Sequence, residues 1–219
     1  MKNQLKIFLV FLLLSACVPY AKGPVFSIEN AENTFKPLVE FLGIKPGMVV
    51  ADVGAGSGAL TVIMATQLDS CDVYIQDIDH EVLQQKNVDK MIAYYSKKLG
   101  YDLGKRNQFR LVYGTVTQSN LSYQSIDVMY LNATVHVFSS PDSMLQDLQT
   151  KLKPTGKIFI RDSFKGDHGE GEFCTAKDCG KRLLTIDEFL TMMTKNGYRL
   201  FKQSPDLSGY PVFGFEVGT

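Results

Sequence analysis

The chain has no excess of charge of either sign: Lys plus Arg and Asp plus Glu each number 23, and the formal net charge is zero. Nothing therefore draws it electrostatically toward nucleic acid or acidic substrates. Internal repeats, low-complexity tracts and long disordered-type stretches are absent as well, and the 21% charged and 45% apolar residues are ordinary globular values. The apolar run Ile7–Leu14 is eight residues long, too short to cross a bilayer, which takes roughly 20. Cysteine is scarce, four in all, and histidine scarcer, at three. The stretch that holds Cys174 and Cys179 offers too few partners for a zinc site, so no metal is expected.

What is present is a chain of 219 residues, enough for one sizeable α/β domain. Its organising stretch is Met48-Val49-Val50-Ala51-Asp52-Val53-Gly54-Ala55-Gly56-Ser57-Gly58-Ala59-Leu60. The apolar, β-branched start suits a strand covered on both faces. The alternating glycines let the backbone turn sharply and come close to a ligand. The helix that follows points the N–H groups of its first turn into the same space. A strand–turn–helix of this kind at the carboxyl edge of a parallel sheet binds nucleotide-like ligands.

Further strands are expected at 73–75, 109–113, 126–131 and 157–161, alternating with helices, and a closing pair at 198–203 and 212–217. One helix should open near Asn33 or Thr34, with Pro37 in its first turn and Gly43 at its end. A long one should be capped by Asp79 and run to about Leu99. Ser140 before Pro141 should cap another, and Thr185-Ile186-Asp187-Glu188 reads as a capping box. This order predicts an α/β, Rossmann-like, doubly wound sheet of seven strands, mostly parallel with the last strand antiparallel.

Lys2 and Lys6 flank the polar start, and the apolar run behind them fits the core of a secretion signal. The run ends Leu14-Ser15-Ala16-Cys17, which resembles the lipobox of bacterial lipoproteins. That resemblance implies removal of residues 1–16, lipidation of Cys17 and anchoring to a membrane of the bacterial cell envelope on its periplasmic side. The alternative is a plain secretory signal, or an N-terminal helix with an incidental cysteine. Residues 17–33 then read as a linker and 34–219 as the domain. In an oxidising compartment Cys174 and Cys179 can close a short disulfide loop, or stand as two unlinked thiols.

Asp52-Val53-Gly54-Ala55-Gly56-Ser57-Gly58 resembles the first motif of class I S-adenosylmethionine-dependent methyltransferases. Leu42-Gly43-Ile44-Lys45-Pro46-Gly47-Met48 resembles the lead-in of that family, and Lys153-Pro154-Thr155-Gly156 its turn before the fifth strand. The resemblance implies S-adenosyl-L-methionine as cofactor. It would be held by Asp52, Gly54, Ala55, Gly56 and Gly58, by Asp77 and Ile78 after the second strand, by Thr115 and Val116 after the third, and by Asn132 after the fourth. In that scheme Asp77 takes the ribose hydroxyls and residues 115 and 116 meet the adenine, with Thr115 standing where many members carry aspartate. A nicotinamide-dinucleotide turn would place its third glycine one residue later, and this turn has no basic residue for a phosphate.

Methyl transfer is an in-line displacement accelerated mainly by alignment, and a base is needed only where the acceptor must lose a proton. His136 and Asp162 are the candidates, because both follow strands at the carboxyl edge. His136 resembles a histidine found after the fourth strand in a subset of small-molecule methyltransferases, and otherwise reads as a helix-lead residue with a satisfied ring. Asn132-Ala133-Thr134-Val135 lacks the Asn/Asp-Pro-Pro-Tyr signature of amino-methylating nucleic-acid enzymes, and Asp162-Ser163 lacks the Asp-Asn pair of metal-dependent catechol-type enzymes. The expectation is methyl transfer to a small organic acceptor. The alternative is an anchored lipoprotein that keeps the fold and binds a nucleoside-like ligand without catalysis. Nothing in the sequence speaks to oligomeric state.

Overall fold

β1 (Val49–Val53) lies in the middle of a seven-stranded sheet, and its residues from Val50 onward are buried, as a strand covered on both faces requires. The computed structural model describes residues 21–166, 182–204 and 211–218. The other strands are β2 (Asp72–Asp77), β3 (Gln108–Tyr113), β4 (Ile126–Asn132), β5 (Leu152–Arg161), β6 (Tyr198–Gln203) and β7 (Val212–Val217), arranged β3-β2-β1-β4-β5-β7-β6. β1 to β5 pair in parallel, and β7 runs antiparallel to both β5 and β6. The link from β6 to β7 is too short for a parallel crossover, so the chain returns antiparallel. Strand order reverses between β1 and β4, and that switch point opens a crevice at the carboxyl edge.

The helices are α1 (Ile28–Asn30), α2 (Lys36–Leu42), α3 (Ala59–Ala65), α4 (Gln85–Leu99), α5 (Leu103–Arg106), α6 (Pro141–Lys151) and α7 (Ile186–Lys195). They cover both faces of the sheet. Val62, Ile63, Val88, Met91 and Tyr95 pack on one side with Val73 and Ile75. Leu145, Leu148, Phe189 and Met193 pack on the other with Ala51, Leu131 and Ile160.

Helical structure begins at Ile28, not at Asn33 or Thr34. Ser27 and Asn30 form a reciprocal capping box, and Ala31–Phe35 continue as a π-helix in which the Lys36 N–H reaches Ala31 O. That widened turn makes room for the Pro37 ring, which lacks an N–H and would otherwise crowd the preceding turn. Phe26 and Ala31 are buried, so the packed part of the chain reaches back into the stretch that reads as linker. Tyr95, fully buried on α4, donates its hydroxyl to Phe26 O at 3.0 Å and ties this segment to the body.

Other local expectations shift in a similar way. Asp79 caps only a short turn, accepting from the Glu81 and Val82 N–H groups, and α4 starts later, at Gln85. The Lys153–Gly156 turn is absorbed into a longer β5 as a change of register against β4. The Thr185–Glu188 capping box forms as expected, whereas the Ser140 hydroxyl makes no cap hydrogen bond. Cys17, Cys174, Cys179 and residues 1–16 lie outside the described residues. Among the described residues no helix is long and apolar enough to cross a membrane.

Replacing Tyr95 with Phe keeps the ring and strands the Phe26 carbonyl. Urea denaturation should show a loss of about 1 kcal/mol at unchanged m-value.

Candidate active site

Gly54, Gly56 and Gly58 all sit in the left-handed region, at φ +72°, +56° and +79°, where glycine alone has no steric penalty. A side chain at Gly54 is excluded twice over, since a Cβ there would lie 2.2 Å from Thr134 Cγ2. The turn hangs on β2: the Gly54 and Ala55 N–H groups both donate to Gln76 O at 2.9 Å. The Gly56 N–H donates to Asp77 Oδ2 at 2.7 Å, while Asp77 Oδ1 accepts from the Asp79 N–H at 2.9 Å. The Asp77 carboxylate is thereby held beside the turn. Burial raises its pKa, against the pull of those backbone donors.

Ile78 after β2 and Val116 after β3 are large apolar residues left about half exposed, at 47% and 48%. β2 and β3 are neighbours, so the two flank one end of the crevice, a setting suited to a planar apolar ring. The Thr115 hydroxyl accepts from the Thr117 and Gln118 N–H groups and shapes the loop after β3. Beside it the His80 ring stacks on Tyr113, with centroids 4.1 Å apart.

Asp52 is buried on β1, and the Thr61 hydroxyl donates to its Oδ2 at 2.6 Å. Desolvation pushes its pKa from 3.8 to about 7, opposed by the Thr61 hydrogen bond and reinforced by the nearby Asp77 charge. Asp52 lines a small cavity of about 30 Å³ together with Tyr130, Asn132 and Arg161 at the sheet edge, Leu60 and Met64 on α3, and Phe26, Thr34, Phe35 and Leu38 from the amino-terminal segment. Asn132 Oδ1 accepts from the Tyr130 hydroxyl at 3.2 Å and from Arg161 Nη1 at 3.0 Å. Burial pushes the Tyr130 phenol up to about 12, so it stays a neutral donor.

His136 follows β4 in a single 3₁₀ turn, Val135–Val137. Its backbone N–H donates to Asp162 Oδ2 at 3.0 Å and its ring Nδ1 is hydrogen-bonded to Asp162 Oδ1. The Ser163 N–H donates to the same carboxylate at 2.8 Å. Two residues that read separately as candidate bases therefore form one unit. Parallel pairing of Asn132 with Arg161 explains it, because it sets the ends of β4 and β5 level.

All the residues singled out in the sequence from Asp52 to Asp162 gather along one carboxyl edge, around the switch point. Tyr130, Arg161, Thr61 and Thr134 join them without a motif that marks them as site residues. Tyr130 carried a signal, since it lies two residues before Asn132 and shares its face of the strand. Thr61 and Thr134 meet their partners only in the folded chain.

The raised Asp52 pKa has a definite sign. The unfolded chain gives up this proton near 3.8 and the folded one near 7, so stability falls as pH climbs through that window and the loss is complete above it. Asn at this position cannot ionise and can still accept from Thr61. In cofactor-free protein, Asp52→Asn should match the parent near pH 4 and exceed it by roughly 4 kcal/mol near pH 8 in urea titrations.

Comparison with known proteins agrees with this architecture. The sequence matches the family described as "Methyltransferase domain" over residues 44–202. Phosphoethanolamine N-methyltransferase of Triticum aestivum is 24% identical over 184 residues, 83% of this chain and 34% of that protein, so the chain spans about a third of this curated relative. The crystal structure of a SAM-dependent methyltransferase from Aquifex aeolicus superposes with a TM-score of 0.61 at 20% identity, covering 87% of this chain and 97% of that one. Burkholderia thailandensis 1,6-didemethyltoxoflavin-N1-methyltransferase, with bound 1,6-didemethyltoxoflavin and S-adenosylhomocysteine, gives 0.59 at 20% identity over 88% of this chain and 78% of that one. The family match runs from the lead-in of β1, through the glycine turn, into β6, and on that ground the chain belongs to the methyltransferase-domain family.

Proposed function

We propose that this chain is an S-adenosylmethionine-dependent methyltransferase acting on a small organic acceptor, with the His136–Asp162 pair removing the acceptor's proton. The observation that carries the reading is that pair, built at the carboxyl edge beside the glycine turn. The residues of the crevice fit the cofactor that the family implies. Asp77 keeps its carboxylate at the turn through the Gly56 N–H, where it suits a ribose diol. Ile78 and Val116 offer apolar flanks for adenine, and buried Asp52 suits a cationic group. When bound, S-adenosylmethionine supplies the methyl group as the electrophile of an in-line displacement.

The rest falls to the chain's own side chains. Asp162 accepts from Nδ1–H of His136 and sets the ring orientation. Nε2, on the far side of the ring, takes the proton from the acceptor O–H or N–H, and the Asp162 carboxylate stabilises the imidazolium that results. Phe26, Thr34 and Phe35 of the amino-terminal segment line the same cavity as Asp52. The wheat relative is named for N-methylation of phosphoethanolamine, a small polar acceptor, which supports a small molecule here as well.

The mature chain should bind S-adenosylmethionine, and Asp77→Ala should weaken that binding about tenfold or more in equilibrium titration. No binding at millimolar cofactor would end the reading, and an unchanged affinity in the variant would end the ribose assignment. With labelled cofactor and cell-envelope extract, transfer to a small product should follow, and His136→Ala should slow it by roughly a hundredfold at unchanged cofactor affinity. Binding without any labelled product would favour a non-catalytic, ligand-binding role.

The same proposal places the mature protein on the periplasmic side of a bacterial envelope membrane, held by lipid on Cys17. Its support is Leu14-Ser15-Ala16-Cys17 directly after the apolar run. The intact mass of membrane-extracted protein should lack residues 1–16 and carry acyl chains; a full-length, unmodified mass would refute it.

A further inference from the structure

We propose that the outer face of α4 docks on a membrane surface of anionic phospholipid headgroups, beside the lipid anchor at Cys17. The proposal rests on the reading of Cys17 as the lipidated residue. The chain as a whole is neutral, but α4 is not: it carries Lys86, Lys90, Lys97 and Lys98 against one acid, Asp89. Val88, Met91 and Tyr95 are fully buried in the core, so the opposite side of the helix faces out. At 3.6 residues per turn, Lys86, Lys90 and Lys97 fall within about 40° of one another on that side, and all three are exposed. Tyr94 adjoins the row, 41% exposed, with Lys98 Nζ over its ring. Asp89 stands at the margin and accepts from Gln85 Nε2 at 2.8 Å. Among the described residues the ion-paired lysines are Lys105, Lys151, Lys153, Lys157 and Lys195, and none belongs to α4.

Chain geometry ties this face to the anchor. The amino-terminal segment crosses α4: Tyr95 donates its hydroxyl to Phe26 O, and a Cβ at Gly23 would lie 3.7 Å from Lys90 Nζ. Gly23 comes six residues after Cys17, a reach of about 20 Å at full extension. Lipid on Cys17 therefore confines the body to the bilayer at the place where Lys90 stands. Lysine is drawn to anionic headgroups over about a Debye length, roughly 8 Å at physiological salt, and a short tether raises the effective concentration of the row at the surface. Between Cys17 and Phe26 the only charged residue is Lys22, which is exposed. The first acids, Glu29 and Glu32, come after Phe26 has met Tyr95. From Lys86 to Lys97 the row extends about 16 Å, which matches an array of headgroups and exceeds a single small anion. A tyrosine among the lysines suits the headgroup layer, where its ring and its hydroxyl both find partners.

The test is cosedimentation with vesicles of phosphatidylcholine alone and of equal parts phosphatidylcholine and phosphatidylglycerol. Every described helix and strand begins at Ile28 or later, so the chain from Cys17 onward keeps the described fold. Cys17→Ser leaves nothing to acylate and reads the surface by itself. This protein should bind the anionic vesicles, ignore the neutral ones and detach at high salt. Lys86→Gln, Lys90→Gln and Lys97→Gln combined should weaken binding about a hundredfold, near fivefold per lysine, at an unchanged urea midpoint. Lys45→Gln, Lys153→Gln and Lys195→Gln combined remove the same charge elsewhere and should cost less than about threefold. Equal loss in both triple variants overturns the docking face in favour of diffuse attraction. Absence of binding to anionic vesicles, or equal binding to neutral ones, overturns it outright, and tighter binding to a duplex oligonucleotide overturns it in favour of nucleic acid. The anchor is judged separately by intact mass. Acyl chains on the native protein, beside a Cys17→Ser chain that ignores anionic vesicles, keep the anchor and remove the α4 surface. An unmodified native protein, beside salt-sensitive vesicle binding, removes the anchor and keeps the surface.

Discussion

The hydrogen bond from the Gly56 N–H to the Asp77 carboxylate ties the end of β1 to the end of β2, and the geometry of the crevice depends on it. Three left-handed residues in five could adopt many paths as an isolated peptide. Here the Gln76 carbonyl takes the first two N–H groups of the turn and Asp77 takes the next, so β2 serves as a template for the loop of its neighbour. The close approach of Thr134 to Gly54 secures the turn from the β4 side. A loop held from both flanking strands keeps its shape before any ligand arrives, which lowers the cost of binding.

Charge is treated differently at the two halves of the edge. On the β1 side Asp52 is buried and accepts from one hydroxyl among the described residues, and desolvation keeps it near the midpoint of its titration at neutral pH. Such a group destabilises the folded chain by itself and gains from a cationic ligand, an arrangement common at functional sites. On the β5 side Asp162 is fully engaged by the His136 ring and two backbone N–H groups. One carboxylate accepts from a hydroxyl next to a small cavity, and the other is engaged by an imidazole and backbone donors. That contrast supports assigning Asp52 to ligand and Asp162 to the orientation of a base.

Much of the fold was legible because its signals are local. The β-branched run before Gly54, the Thr185–Glu188 capping box and the short link between β6 and β7 each act over a few residues, and each took the form its chemistry requires. Local signals fail where distant packing outweighs a local preference. Asp79 has the side chain of a helix cap, but it sits where the chain is still leaving β2, so it closes a turn and α4 waits until Gln85. Pro37 suits a helix start, yet the buried Phe26 and Ala31 keep the segment before it helical, and a π turn reconciles the two.

For the site the division is sharper. The sequence by itself determined which residues arrive at the carboxyl edge, since each lies just past an apolar strand and parallel strands end on the same side. It also determined the absence of a phosphate-binding cation in the turn. Only the tertiary structure decided which of those residues touch. Register between β4 and β5 brought His136 to Asp162, and pairing of β1 with β4 put Asp52, Tyr130 and Arg161 around one cavity. Sequence spacing says nothing about register across strands dozens of residues apart, because register is settled by packing of the whole sheet against its helices.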